Sequence, residues 1–133
     1  MEQISLVYKL GTAFLGGLIS YLFGSMTPLL HMLVLFVILD YISGVLASAY
    51  EGNLSSSFGF KGILKKIFIF LIIAIAHSLD KFFGGNMIRD AALFFYLSNE
   101  LLSIIENAGR LNLPIPDVIK SAIKILKGKS DNK

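Results

Sequence analysis

Cysteine is absent from this chain, which removes disulfides, thiolate catalysis and cysteine-ligated metals at once. Histidine is nearly absent: His31 and His77 are the two present, too few and too isolated for a histidine-based metal site, and no metal or other cofactor is expected. Charge is scarce too. Only 16% of the 133 residues are charged against 55% hydrophobic, and the mean hydropathy is +0.73. A soluble domain of this length covers its surface with far more charge than that, so the apolar excess faces lipid. Catalytic patterns are missing. Phe58–Gly62 lacks the spacing of a phosphate loop, and Ser55, Ser56 and Ser57 have no base in a triad arrangement, so no catalytic residue and no enzyme is expected. No internal repeat of the inverted-transporter kind is visible. A cleavable signal peptide is not expected either, because Gly16 and Gly17 interrupt the first apolar run and no small-x-small site precedes a polar domain.

What is present is a series of apolar runs of bilayer length, about 20 residues each. The first, Ile4 to Gly24, carries Thr12, Gly16, Ser20 and Gly24 at intervals of four, a small-residue ridge that lets helices approach closely in lipid. It either spans the membrane or lies at its interface. Ser25 to Pro28 breaks the chain, with Thr27 placed to cap and proline to open the next helix. The second run is Leu29 to Tyr50, and Glu51 to Gly62 reads as a Gly/Ser/Asn loop. The third run, Ile63 to Leu79, is uninterruptedly apolar from Ile67 to Ala76. The fourth, Arg89 to Gly109, turns polar in its second half. Leu113 to Pro116 is an extended linker. From Asp117, Val118, Ile119, Ala122, Ile123 and Leu126 share one helical face and Lys120, Lys124 and Lys127 the other, the pattern of a basic amphipathic helix on an anionic leaflet. The expected fold is therefore an all-α integral membrane protein of about four hydrophobic helices plus this basic helix. It forms a single helical membrane domain over 1–127, with a disordered polar basic tail over 128–133.

The positive charge, net +3 with an isoelectric point near 9.2, lies beside apolar runs rather than among exposed aromatics, so a membrane surface and not nucleic acid is its partner. Lys61, Lys65 and Lys66 mark the loop between the second and third runs, and Lys120, Lys124 and Lys127 the C-terminal helix; all are read as membrane-surface cations. By the positive-inside rule both regions, including the C-terminus, are cytoplasmic in a multi-pass protein of the bacterial cytoplasmic membrane.

One carboxylate enters an apolar run. An ionised acid at the bilayer centre costs about 2.5–3.5 kcal/mol on insertion scales, so Asp40 faces protein or water. Ser43, Gly44, Ala47 and Ser48 share its helical face and make it packable. It is either an oligomer contact or pore-lining group, or a structural hydrogen-bonding group within one chain. The fourth run offers a second polar stripe of Asn99, Ser103, Glu106 and Arg110, with Glu100 and Asn107 adjacent. Glu106 and Arg110 suit the interface, Asn99 and Glu100 a buried position. Asp40 and Glu100 together also allow a proton relay, the basis of an alternative reading as a small oligomeric ion- or proton-coupled transporter. His77 and Asp80, a turn apart, suggest a local hydrogen bond.

The order and spacing of these elements carry a family resemblance. Asp40-Tyr41-x-x-Gly44, the Ser56 to Lys66 loop, the pairs Asn99-Glu100 and Glu106-Asn107, and Pro114-Ile-Pro116 together resemble the phage holin family that includes the clostridial toxin-secretion holins. The likeness runs from about Pro28 to Lys127. It implies a homo-oligomer that accumulates in the cytoplasmic membrane and opens a lesion for an endolysin or a large toxin, as cargo rather than bound partner. It transfers no catalytic role to any residue. Met26, in the break before Pro28, is a candidate second start that would delete only the first run.

Overall fold

The computed structural model describes residues 1–131, the side chains of 126, 127 and 129–131 excepted. All of its regular structure is helical: α1 (Glu2–Phe23), α2 (Pro28–Tyr50), α3 (Ser56–Phe83), α4 (Met87–Arg110) and α5 (Asp117–Asp131). Three helices, α1 to α3, are long and apolar enough to cross a membrane. α2 begins as its sequence dictates: Pro28 occupies the first turn and the Thr27 hydroxyl accepts from the Leu30 amide at 3.3 Å.

α3 starts seven residues before the expected Ile63. The Ser55 hydroxyl accepts from the Phe58 amide at 3.1 Å and caps the helix there, so the Ser-rich stretch is its first turn. Gly59 and Gly62 then lie inside the helix, not in a loop. A Cβ on Gly59 would stand 3.3 Å from the Tyr41 hydroxyl and one on Gly62 3.5 Å from the Tyr41 ring. Gly59 thus serves a close approach of Tyr41, whereas a Cβ at Gly62 would make an ordinary contact. α5 likewise runs through Gly128 to Asp131, where an irregular tail was expected. An exposed helical glycine costs only about 0.5–1 kcal/mol, too little to end the helix alone.

α2, α3 and α4 form the bundle, with α4 packed on both others. Contacts between α2 and α4 advance together along both chains (Asp40 to Asn107, Ser48 to Arg110), so these helices run parallel and α3 antiparallel to them. Leu30, Leu33 and Val37, Ile69 and Ile73, Leu93 and Leu97 fill the apolar half of the core. α1 has no buried residue. Thr12, Gly16 and Ser20 of its ridge are exposed, and nothing lies within 4 Å of a Cβ on Gly16, whereas Gly24, past the helix end, packs closely. α1 is held at its C-terminal turn, where Lys81 donates to the Tyr21 carbonyl at 3.3 Å and Phe23 meets Phe70 edge-on at 6.0 Å.

That turn belongs to a buried knot. Arg89, 2% exposed, donates through Nη1 to the carbonyls of Phe23 at 3.1 Å and Ser25 at 3.3 Å, satisfying the end of α1. Gly24, at φ +78°, leaves room for it: a Cβ would lie 2.6 Å from Arg89 Nη1. Asp80 caps α4 from the neighbouring helix, accepting from the amides of Ile88 at 3.0 Å and Arg89 at 2.7 Å. The anticipated His77–Asp80 bond is therefore not made. Asp80 is engaged by backbone, and both ring nitrogens of His77 are buried without a partner among the described residues. Asp80→Ala is expected to cost about 1–2 kcal/mol, the worth of a good N-cap, seen as earlier thermal unfolding in detergent micelles. Unaltered unfolding would show that α4 does not depend on this cap.

Candidate functional site

The other half of the bundle core is polar. On α2, Asp40, Ser43, Gly44, Ala47 and Ser48 share one helical face at three- and four-residue intervals (40, 43, 47 and 40, 44, 48), and on α4 Glu100, Ser103, Asn107 and Arg110 do the same. Parallel packing therefore sets two polar faces against each other. Asp40 is 7% exposed and Glu100 5%. Both are met by one cation, Lys66 of α3, whose ammonium donates to Asp40 Oδ2 and to Glu100 Oε2, the latter at 2.5 Å. Two carboxylates around one ammonium leave one negative charge unbalanced, unless a proton is shared between them.

Asn107 extends the network. Its amide donates to Asp40 Oδ1 at 3.0 Å and to the Ser43 hydroxyl at 2.9 Å, with Gly44 offering a close approach. Its carbonyl oxygen accepts from Arg110 Nη1 at 3.3 Å. Arg110 in turn donates to Ser48 at 3.2 Å and to both oxygens of Glu51, at 3.0 and 2.7 Å. The result is a ladder from Glu100 through Lys66, Asp40, Asn107 and Arg110 to Glu51. Two cavities flank it. One of about 250 Å³ opens beside Tyr41, Lys61, Lys65 and Asn107, and one of about 500 Å³ lies between α3 and α4 beside Tyr96, Asn99 and Ser103; Asp40 and Lys66 line both. The described residues contain no group of three metal-ligating side chains.

Sequence reasoning placed Asp40, Ser43, Gly44, Ala47, Ser48, Glu100 and Ser103 on helical faces that this structure brings together. It misjudged two residues. Asn99 is exposed at a cavity rim rather than buried, because it lies 100° around the helix from Glu100. Lys66 is not a free surface cation: its side chain is 17% exposed and turned inward. The signal for it was present, since Lys66, Ile69, Ile73, Ala76 and Asp80 recur at three- and four-residue spacing along one face of α3. Asn107 as a link, and the Arg110–Glu51 pair, were also missed. Lys61, Lys65 and Lys124 are exposed as expected. Lys120 is exposed and 3.9 Å from Asp117, and the side chain of Lys127 lies outside the described residues.

The sequence profile of the bacteriophage holin family matches residues 17–128. Among similar proteins, an uncharacterised protein of Listeria innocua is 48% identical over 96% of this chain and 91% of its own length. One of Clostridium perfringens is 37% identical over 97% of this chain and 99% of its own. A probable holin of Bacillus phage phi105 is 34% identical over 86% of this chain and 84% of its own. No solved structure matches the chain.

Lys66→Met leaves two buried acids facing each other without a cation. It is expected to cost about 3–5 kcal/mol in micellar unfolding, with partial recovery when Asp40→Asn and Glu100→Gln are added. Equal stability of single and triple variants would mean that the charges do not interact. At the ladder's end, the hydrogen bonds from Arg110 hold the Glu51 carboxyl below its ordinary value. A depressed folded-state value contributes stability above the unfolded carboxylate pKa and loses it as pH falls through the folded one. In a carboxyl NMR titration Glu51 should therefore titrate lower in the unmodified protein than in Arg110→Gln. Coincident midpoints would contradict the pairing.

Proposed function

The chain belongs to the bacteriophage holin family, and from that premise we propose that it oligomerises in the cytoplasmic membrane and opens a lesion through which an endolysin, or a large protein toxin, crosses. The observation that carries the mechanism is the intrachain ladder. Each chain satisfies its own polar faces, with Lys66 between Asp40 and Glu100, and so rests in lipid as a closed unit. Assembly exchanges those contacts for contacts with neighbours and water, and the faces of α2 and α4 then line the lesion. α1, which has no buried residue, presents Thr12, Gly16 and Ser20 to neighbouring chains during accumulation.

In this reading the protein is multi-pass and not an enzyme. The first turns of α3 and the whole of α5 lie on the cytoplasmic side, where Lys61, Lys65, Lys120 and Lys124 meet anionic headgroups. A second reading, a small coupled transporter, draws on the same triad, since two acids sharing one ammonium beside two cavities suit a proton relay.

Induced expression in a bacterium, following membrane potential and release of a co-expressed endolysin, separates the two. A holin collapses the potential abruptly and releases the enzyme, whereas gradual ion flux without release favours the transporter. Asp40→Leu, which takes one acid from Lys66, should insert normally yet shift the time of lysis. Unchanged timing and unchanged oligomer size would remove Asp40 from the mechanism.

A further inference from the structure

α2 and α3 are consecutive helices that scarcely touch: each leans on α4 instead. The seam between them is hollow. Its deeper part, about 280 Å³, is walled by Val37, Ile38, Ile42, Ile63, Ile67 and Phe70 and exposes no polar surface. Its upper part is the cavity of about 250 Å³ beside Lys61 and Lys65. Tyr41 and Lys66 line both, so the two hollows meet.

The charges of the upper cavity are not equivalent. Lys66 is engaged by Asp40 and Glu100, and Arg110 by Glu51. Lys61 and Lys65 are exposed, lie one helical turn apart and form no ion pair among the described residues. The Tyr41 hydroxyl, above Gly59, likewise makes no hydrogen bond among them. Two ammonium groups and one hydroxyl, without partners among the described residues, thus stand at the mouth of a slot that exposes no polar surface. From Lys61 to Phe70 that slot follows α3 for about 14 Å, at 1.5 Å per residue.

We infer that this seam binds one anionic phospholipid, its headgroup phosphate on Lys61, Lys65 and Tyr41 and the upper part of an acyl chain between α2 and α3. The slot excludes a free anion as the natural occupant, because its depth exposes no polar surface, and Lys61 and Lys65 select an acidic lipid over a zwitterionic one. The inference rests on the membrane location of the chain and not on lesion formation. A bound lipid lies against the flank of Lys66, so it holds α2 and α3 at their present spacing beside the Asp40–Lys66 pair.

Native mass spectrometry of the full chain in detergent, with phosphatidylglycerol or phosphatidylcholine added, tests the site. One phosphatidylglycerol should be retained in preference to phosphatidylcholine. Lys61→Gln with Lys65→Gln should weaken its retention roughly thirtyfold, while Lys120→Gln with Lys124→Gln, an equal charge change on α5, leaves it in place. Ile42→Trp, at an exposed wall position, should fill the slot and weaken retention without shifting thermal unfolding. Equal retention of the two lipids, equal losses from the two lysine pairs, or displacement of the lipid by inorganic phosphate alone would overturn the proposal. So would an Ile42→Cys variant that oxidises wholly to a dimer in vesicles, which would put a second copy in the seam; the chain's lack of cysteine makes that readout unambiguous.

Discussion

A single ammonium group decides the arrangement of the bundle. Lys66 must lie within hydrogen-bond reach of Asp40 on one neighbour and Glu100 on the other. A side chain at one point of α3 thus sets the rotation and axial position of three helices together. The apolar half of the core, Leu33 with Ile73 and Leu93, accepts many such arrangements, because close packing of Leu and Ile against one another discriminates weakly between helix registers. Buried charges do not. A slip of one residue on α4 replaces Glu100 with Asn99 or Leu101 and leaves Lys66 with Asp40 as its one acid. Polar groups therefore specify here what apolar packing alone leaves loose, the role of registry best attested for buried ionic groups.

The two ends of the bundle are closed by different means. At one, backbone is satisfied by charge: Asp80 takes the amides that begin α4, and Arg89 takes the carbonyls beyond α1. At the other, charge is satisfied by charge, with Arg110 spanning from α4 to Glu51 at the end of α2. α4 supplies a residue to both closures and to the centre. This explains how the most polar of the three bundle helices is also the one on which the other two pack. α1 and α5 stand outside the bundle, each packed against a single one of its helices, α3 and α4 respectively.

The helices themselves were legible, because apolar runs of bilayer length, the Thr27–Pro28 start and the Pro114–Pro116 linker are local signals. So was the packable face around Asp40, which follows from helical spacing alone. The start of α3 was not, because Gly59 and Gly62 carry the same letters in a loop and against a tyrosine ring; only the position of Tyr41 distinguishes them. Lys66 was lost with it. A lysine beside a supposed loop reads as a surface cation, and its true partners are 26 and 34 residues away in sequence. Asn99 and Glu100 were read as one feature although adjacent helical residues face different directions. The small-residue ridge of α1 is a spacing pattern, and a pattern does not carry the identity of a partner.

The ladder also bears on the order in which the chain takes up its place in a bilayer. Asp40 emerges from synthesis first, Lys66 next and Glu100 last. The hairpin of α2 and α3 already contains one acid and one base able to neutralise each other, so it enters lipid as an electrically balanced pair. Glu100 and Asn107 of α4 find their partners on α3 and α2, so α4 alone would carry them unpartnered into lipid. It acquires partners only because the preceding hairpin presents them. The order of the charges along the chain thus mirrors the ladder, with the cation of α3 placed between an acid that precedes it and one that follows it.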